Sequence, residues 1–256
     1  MFPLGSVLFP HMPLALRIFE ERYRVMLTRV LAGEKAEFGV VLIERGRESG
    51  GGEKRFDVAT VAEIHELGAI DDDIALIARG GRRVEVVEWL DDDPHPVAIV
   101  RDIPDLEWDE ALRPLREQAE LVVRRAVSRA SEFVELQWSG DAEISDDPVE
   151  SSWQLAGMAP IGQLDQLALL RSTSLRQLLT RLMEFTIDTG ETIAAAFVDD
   201  DLDAELAATI EESEGDHPDD EPDDNESDDD ESDDDEPDDD DEPDDDASGE
   251  ASDDRP

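Results

Sequence analysis

The spacing of the apolar residues changes near Trp108, and this change limits the folds open to the chain. Before it, a continuous apolar run at 37–44 and an alternating segment at 56–67 are typical of β-strands. After it, apolar residues from Leu112 to Phe133 recur at three- and four-residue spacing, which predicts a helix of about six turns. The sequence therefore predicts an α+β protein: a small closed or partly closed β-barrel followed by a helical bundle.

Glycine and proline mark the expected turns between these elements. Strands are predicted at 74–78 and 83–90, joined by a hairpin turn at Gly80-Gly81, and at 95–103. The glycines of residues 45–55 predict a flexible loop. They are not interpreted as a phosphate-binding loop, because no Gly-Lys-Ser/Thr ending is present and no helix pattern follows directly. Further helices are predicted at 152–159, around 164–170, and after Ser174, which forms a capping box with Gln177.

The first 31 residues combine both patterns. Prolines and a glycine interrupt the apolar start, as expected for short strands at a sheet edge. Apolar residues then recur at helical spacing and predict a helix that stops near Gly33. Phe19, Tyr23 and Met26 on this helix are interpreted as core residues.

Negative charge is concentrated at the carboxyl end. Residues 199–256 hold 34 of the 70 acidic residues and one basic residue, and they have few apolar side chains, so this tail is predicted to be disordered. The first 198 residues are moderately acidic and can form a core. We therefore expect a barrel at 1–107, a helical bundle at 108–198 and an acidic tail at 199–256.

The composition excludes several classes of function. Strong negative charge argues against direct nucleic-acid binding, which needs clustered Lys and Arg. The chain has no cysteine, no secretory-signal pattern and no apolar stretch long enough to cross a membrane, so the sequence predicts a cytoplasmic protein.

No pattern for catalysis is present. The sequence lacks Gly-x-x-x-x-Gly-Lys-Ser/Thr, and its four histidines have no metal-type spacing. The acidic triplets at 71–73 and 91–93 lack the remaining ligands of a calcium loop and are interpreted as turns. We expect no catalytic residue, cofactor or metal site.

The beginning of the chain resembles the amino-terminal, substrate-binding domain of Lon protease. The resemblance rests on Phe-Pro-Leu-Gly at 2–5, Val-Leu-Phe-Pro at 7–10, Ile-Phe-Glu-x-Arg-Tyr-Arg-x-Met-Leu at 18–27 and Ala-Thr-Val-Ala-x-Ile at 59–64. It covers residues 1–198, most strongly the first hundred. It implies a PUA-like barrel and a substrate-recognition module without the ATPase and protease domains, and a native start one or two apolar residues before Met1.

This resemblance implies a surface that binds unfolded or client polypeptides, with a protease or adaptor as a second class of partner. An apolar patch is expected at the junction of barrel and bundle, and the loop after Ile70 is one candidate part of it. The candidate contact residues are Phe9, Phe19, Glu20, Arg22, Tyr23 and Met26.

Three alternatives remain open. The acidic tail can act as a nucleic-acid mimic that binds basic proteins, or it can serve solubility alone. Relatives of the PUA-like fold bind RNA, but the charge of this chain opposes that function.

Overall fold

The computed structural model describes residues 1–190 and 192, which form one mixed sheet and a set of helices. The predicted disorder of the acidic tail lies outside the described residues. The elements in chain order are β1 (Phe2–Leu4), β2 (Pro13–Ile18), α1 (Glu21–Leu31), β3 (Glu37–Arg45), β4 (Lys54–Ile70), β5 (Asp73–Leu90), β6 (Val97–Asp102), a 3₁₀ turn (Glu110–Leu112), α2 (Arg113–Ala130), α3 (Pro148–Met158), α4 (Gln163–Leu170) and α5 (175–190).

The sheet has the strand order β1-β3-β4-β5-β2, and β6 also pairs with β5. β1 runs parallel to β3, and the other pairs are antiparallel. Among the described residues no strand joins β1 to β2 or β6, so the prediction of a closed barrel is wrong. β1 has only three residues. It is not paired with β6; the residues just before these two strands are joined by one hydrogen bond, from Met1 N to Pro96 O (2.7 Å).

The predicted hairpin at Gly80-Gly81 is also wrong, because β5 continues through both glycines. The chain reverses at Asp71 and Asp72 instead, where Asp71 has a φ of 54°. Aspartate tolerates this left-handed conformation better than most residues. The interpretation of the first acidic triplet as a turn is therefore confirmed.

Gly80 allows another segment of backbone to approach β5 closely. A Cβ at this position would collide with the carbonyl oxygen of Phe9. The two segments are joined by hydrogen bonds from His11 N to Gly80 O (2.7 Å) and from Gly80 N to Met12 O (2.9 Å). The glycine that looks like a turn signal in the sequence thus serves close packing inside a strand.

The helices follow the predicted periodicity but differ in their bounds. The long helix is divided into the 3₁₀ turn and α2, which buries Ala119, Val123 and Val127. α3 begins four residues earlier than predicted, because the Asp147 side chain accepts hydrogen bonds from the first backbone amides of the helix.

At α5, Ser174 Oγ accepts a hydrogen bond from Gln177 N (3.2 Å). The Gln177 side chain accepts from Thr173 N (2.8 Å) rather than from Ser174 N, so half of the predicted capping box is formed.

Arg83 connects the sheet to the helices. It lies on β5, is 2% exposed, and donates hydrogen bonds to the carbonyl oxygens of Leu170 (2.8 Å), Ser172 (2.6 Å) and Pro104 (2.7 Å). Its guanidinium also lies 5.0 Å from the ring centroid of Trp153 on α3. Burial lowers the pKa of Arg83, and the three carbonyl oxygens around it, one of them at the last residue of α4, supply partial negative charge.

Replacing Gly80 by alanine tests the close approach of the amino-terminal segment to β5. We expect Gly80→Ala to lower the free energy of unfolding by about 1–3 kcal/mol, because the added Cβ collides with backbone. Gly68→Ala on β4 is the matched control, since a Cβ there would lie 3.9 Å from its nearest neighbour, Ala75 Cβ. Urea unfolding followed by circular dichroism measures both, and equal midpoints would contradict the packing argument.

Arg83→Met tests the bridge between the sheet and the helices. It keeps the apolar stem but leaves three carbonyl groups without donors, so we expect a loss of about 2–4 kcal/mol in the free energy of unfolding. The neighbouring Arg82 pairs with Glu37 and Asp102 near the surface, and Arg82→Met should lose about 1 kcal/mol or less. Equal losses in thermal or urea unfolding would show that Arg83 is not a bridge.

Candidate functional site

A cleft of about 430 Å³ lies where the amino-terminal segment and β2 meet the helices. Its sheet side is formed by the amino-terminal segment and β2, and its helix side by the loop between α2 and α3 and by single residues of α3 and α4. The lining residues are Leu4, Ser6, Val7, Leu8, Phe9, Met12, Pro13, Leu14, Ala15, Leu16, Glu48, Gln137, Trp138, Gly157 and Gln166.

The floor of the cleft is fixed by contacts to buried residues. Phe9 is 1% exposed, and its ring centroid lies 5.9 Å from that of Trp153. Met12 is also buried and packs against Gly157 of α3, where a Cβ would meet the Met12 side chain within 3 Å. The carbonyl of Leu8 accepts a buried hydrogen bond from the Thr60 hydroxyl (2.6 Å). A floor held in this way keeps its shape without a ligand.

The walls carry apolar side chains that remain accessible. Leu14 and Leu16 alternate along β2, opposite Ala78 and Leu76 of β5, and both are half-buried. Trp138 lies across from them on the α2–α3 loop and is half-buried as well. Partly exposed aliphatic and aromatic side chains facing one cleft are suited to binding apolar groups.

Glu48 brings a carboxylate to the rim of the cleft from the glycine-rich loop between β3 and β4. In this loop Gly46, Gly50, Gly51 and Gly52 all have positive φ, which an L-residue rarely adopts. Glu48 Oε1 accepts a hydrogen bond from the backbone N–H of Gly5. The loop thus folds back onto the amino-terminal segment.

Glu20 and Arg22 hold this loop in place. Glu20 Oε2 accepts hydrogen bonds from Gly50 N (3.2 Å) and Arg22 Nε (3.1 Å). Arg22 Nη2 donates to Glu48 O (3.3 Å), and the Arg22 guanidinium lies 4.4 Å from the Tyr23 ring centroid. The two charged residues at the start of α1 therefore position the loop that carries Glu48.

The loop ends in a buried carboxylate. The Glu53 side chain is fully buried, and its Oε1 accepts a hydrogen bond from Arg55 Nε (2.8 Å). Its Oε2 lies 4.0 Å from Arg22 Nη1 and has no hydrogen-bond partner, and the buried hydroxyl of Tyr23 has none either. Burial raises the pKa of Tyr23, so this hydroxyl stays protonated.

The structure places the six predicted contact residues in different environments. Phe9 lines the cleft, whereas Tyr23 and Met26 are at most 2% exposed and belong to the core, as their core interpretation predicted. Phe19 is 58% exposed, so its core interpretation is wrong: it precedes α1, whose buried residues are Tyr23, Met26 and Leu27.

Sequence reasoning missed the residues that form the two walls and the rim. Leu14 and Leu16 were contained in the amino-terminal apolar segment, and their alternation on one strand face is the signal that identifies them. Trp138 and Glu48 lie in loops, and the sequence carries no signal that brings them together.

Two other cavities among the described residues are lined by more charged side chains than the cleft. One of about 400 Å³ beside Trp153 includes Arg83, Asp105 and Glu150. A depression of about 580 Å³ between α2 and the α2–α3 loop is lined largely by charged residues, including Arg113, Arg116 and Glu120. No group of three or more His, Cys, Asp and Glu residues is arranged to hold a metal ion in the part of the chain that the structure describes. The helices described there include none with the length and apolar character to cross a membrane.

Arg22→Ala tests whether α1 positions the glycine-rich loop. We expect trypsin to cleave after Arg47 about fivefold faster, because the lost hydrogen bonds are worth about 1 kcal/mol of local stability. Arg24→Ala is the control, since Arg24 instead donates hydrogen bonds to Asp72 and Asp73, where β4 turns into β5. Mass spectrometry of the early fragments measures the rate. Equal rates in both variants would mean that the loop does not depend on Arg22.

Comparisons with known proteins agree on one family. Residues 1–187 match the model of the ATP-dependent protease La (LON) substrate-binding domain. A solved Lon N-terminal domain protein from Xanthomonas campestris is 23% identical, with a TM-score of 0.51 over 72% of this chain and 95% of that one. The N-terminal domain of the Mycobacterium avium complex Lon protease is 16% identical, with a TM-score of 0.50 over 73% and 97%. No curated protein matches the chain.

Proposed function

Because the chain belongs to the LON substrate-binding domain family, we propose that it is a non-catalytic protein-binding module that recognises client polypeptides. The observation that carries this proposal is the apolar cleft between β2 and the α2–α3 loop. Its volume of about 430 Å³ is large enough for a few side chains of an extended segment. The clients are unfolded chains or segments that expose apolar residues.

The chemistry of the walls supports this class of ligand. Transfer of apolar side chains from water to the surface of Leu14, Leu16 and Trp138 is favourable, and it is not selective for one sequence. A half-buried tryptophan offers a large contact area with few rotatable bonds, a common property of residues that dominate binding energy. We assign Trp138 as the main anchor.

The residues predicted from the sequence have a place in this proposal. Phe9 contributes to the floor, and the exposed Phe19 extends the contact surface next to α1. Glu20 and Arg22 act by holding the glycine-rich loop. Tyr23 and Met26 support these residues from the core. We further propose that the module works in the cytoplasm and passes clients to a protease or adaptor.

A second candidate function rests on the composition of the tail. The 34 acidic residues after position 198 form a polyanion that would attract basic proteins. Removal of residues 199–256 separates the two functions: client binding at the cleft should persist, whereas salt-sensitive capture of basic proteins should be lost. Retention of the basic partners by the shortened chain would exclude the tail as their binding segment.

Binding of a permanently unfolded client tests the cleft directly. With reduced, carboxymethylated lactalbumin as a fluorescent ligand, we expect Trp138→Ala and Leu14→Ser each to raise the Kd at least about fivefold, because each removes apolar contact area. Leu121→Ser, at an exposed position of α2 outside the cleft, should change it less than twofold. Circular dichroism confirms that the variants are folded. Unchanged affinity in folded Trp138 and Leu14 variants would place the client elsewhere.

A further inference from the structure

Glu48 is the one charged residue among the residues that line the cleft in the described part of the chain. The remaining polar lining residues are Ser6, Gln137 and Gln166, which carry no net charge. The electrostatic preference of the cleft is therefore set locally by a single carboxylate at its rim, next to apolar walls.

This carboxylate has unused acceptor capacity. Glu48 Oε1 accepts from the Gly5 backbone, but Oε2 has no hydrogen-bond partner or counter-ion among the described residues. The Glu48 side chain is exposed, while its backbone carbonyl is held by Arg22. A positioned carboxylate with a free oxygen can accept a hydrogen bond from a ligand cation.

We propose that the cleft selects apolar segments that carry a lysine or arginine, and that Glu48 determines this specificity. The inference rests on the proposed function and adds the charge of the client to it. A Lys or Arg side chain can lay its aliphatic stem along Leu14 and Leu16 while its cationic end reaches Glu48.

The charge of the whole chain acts in the same direction. A net charge of −48 raises the local concentration of cationic ligands and repels anionic ones. Segments with Asp or Glu next to their apolar residues would meet the Glu48 carboxylate with a like charge, which disfavours them. The cleft thus distinguishes clients by charge even though its apolar walls do not distinguish their sequence.

The test uses the full chain and three capped, fluorescently labelled eight-residue peptides. The peptides share four apolar side chains and differ at one central position, which is Lys, Gln or Glu. Fluorescence anisotropy at low and at physiological salt gives the Kd of each. We expect the Lys peptide to bind two- to fivefold more tightly than the Gln peptide and the Glu peptide to bind most weakly, with smaller differences at higher salt.

Variants of the rim identify the residue responsible. Glu48→Gln keeps the hydrogen bond to Gly5 and should reduce the preference for Lys to the small part that the net charge of the chain supplies, without weakening the Gln peptide; Glu48→Lys should lower the preference further. Gly5→Ala adds a Cβ 2.8 Å from Glu48 Oε1 and should reduce the preference by moving the carboxylate. Glu34→Gln makes the same charge change in the exposed turn after α1 and should leave the preference intact.

The outcomes separate this inference from the proposed function. If the three peptides bind equally, or if Glu34→Gln lowers the preference as much as Glu48→Gln does, the specificity of Glu48 is overturned while binding in the cleft stands. If none of the peptides binds and the unfolded lactalbumin does not bind either, the proposed function is overturned and the inference falls with it.

Discussion

The buried guanidinium of Arg83 is the interaction on which the arrangement of sheet and helices depends. A charge removed from water is stable only when its donors are satisfied, and here three backbone carbonyls accept from it. Two of these carbonyls lie at the carboxyl end of α4, where the helix dipole is negative: Leu170 is the last residue of the helix and Ser172 follows it. Since the three acceptors have fixed positions, the guanidinium fixes α4 and the segment after β6 relative to β5.

The cleft follows from this arrangement. One wall comes from β2, which pairs with β5. The other comes from the α2–α3 loop and from single residues of α3 and α4, the two helices that contact Arg83 of β5. Between them lies the amino-terminal segment, which fits because Gly80 of β5 and Gly157 of α3 present no side chain to it. A site whose two sides are attached to the same strand keeps its width, so a ligand does not have to order it on binding.

The sequence identified the elements better than their arrangement. Periodicity located β3, β4 and α1, because one buried face determines each pattern. The turn predicted at Gly80-Gly81 is wrong, since Gly80 is required by the close approach of the Phe9 backbone, which is distant in the sequence. Phe19 shares the apolar spacing of α1 but precedes its first turn. The cleft residues Leu16 and Trp138 meet only through tertiary packing, which spacing along the chain does not encode.

Stability is distributed unevenly around the cleft, and this distribution suits binding. The floor is held in place by a buried hydrogen bond and a ring contact. The rim that carries Glu48 instead belongs to a loop in which four glycines have positive φ. Each of those glycines loses more backbone entropy on folding than another residue would, so the loop is held mainly by Glu20 and Arg22. Segments that must adapt to different ligands are drawn from the less stable parts of a fold. A rigid apolar floor with an adjustable charged rim can therefore accept varied segments and still select them by charge.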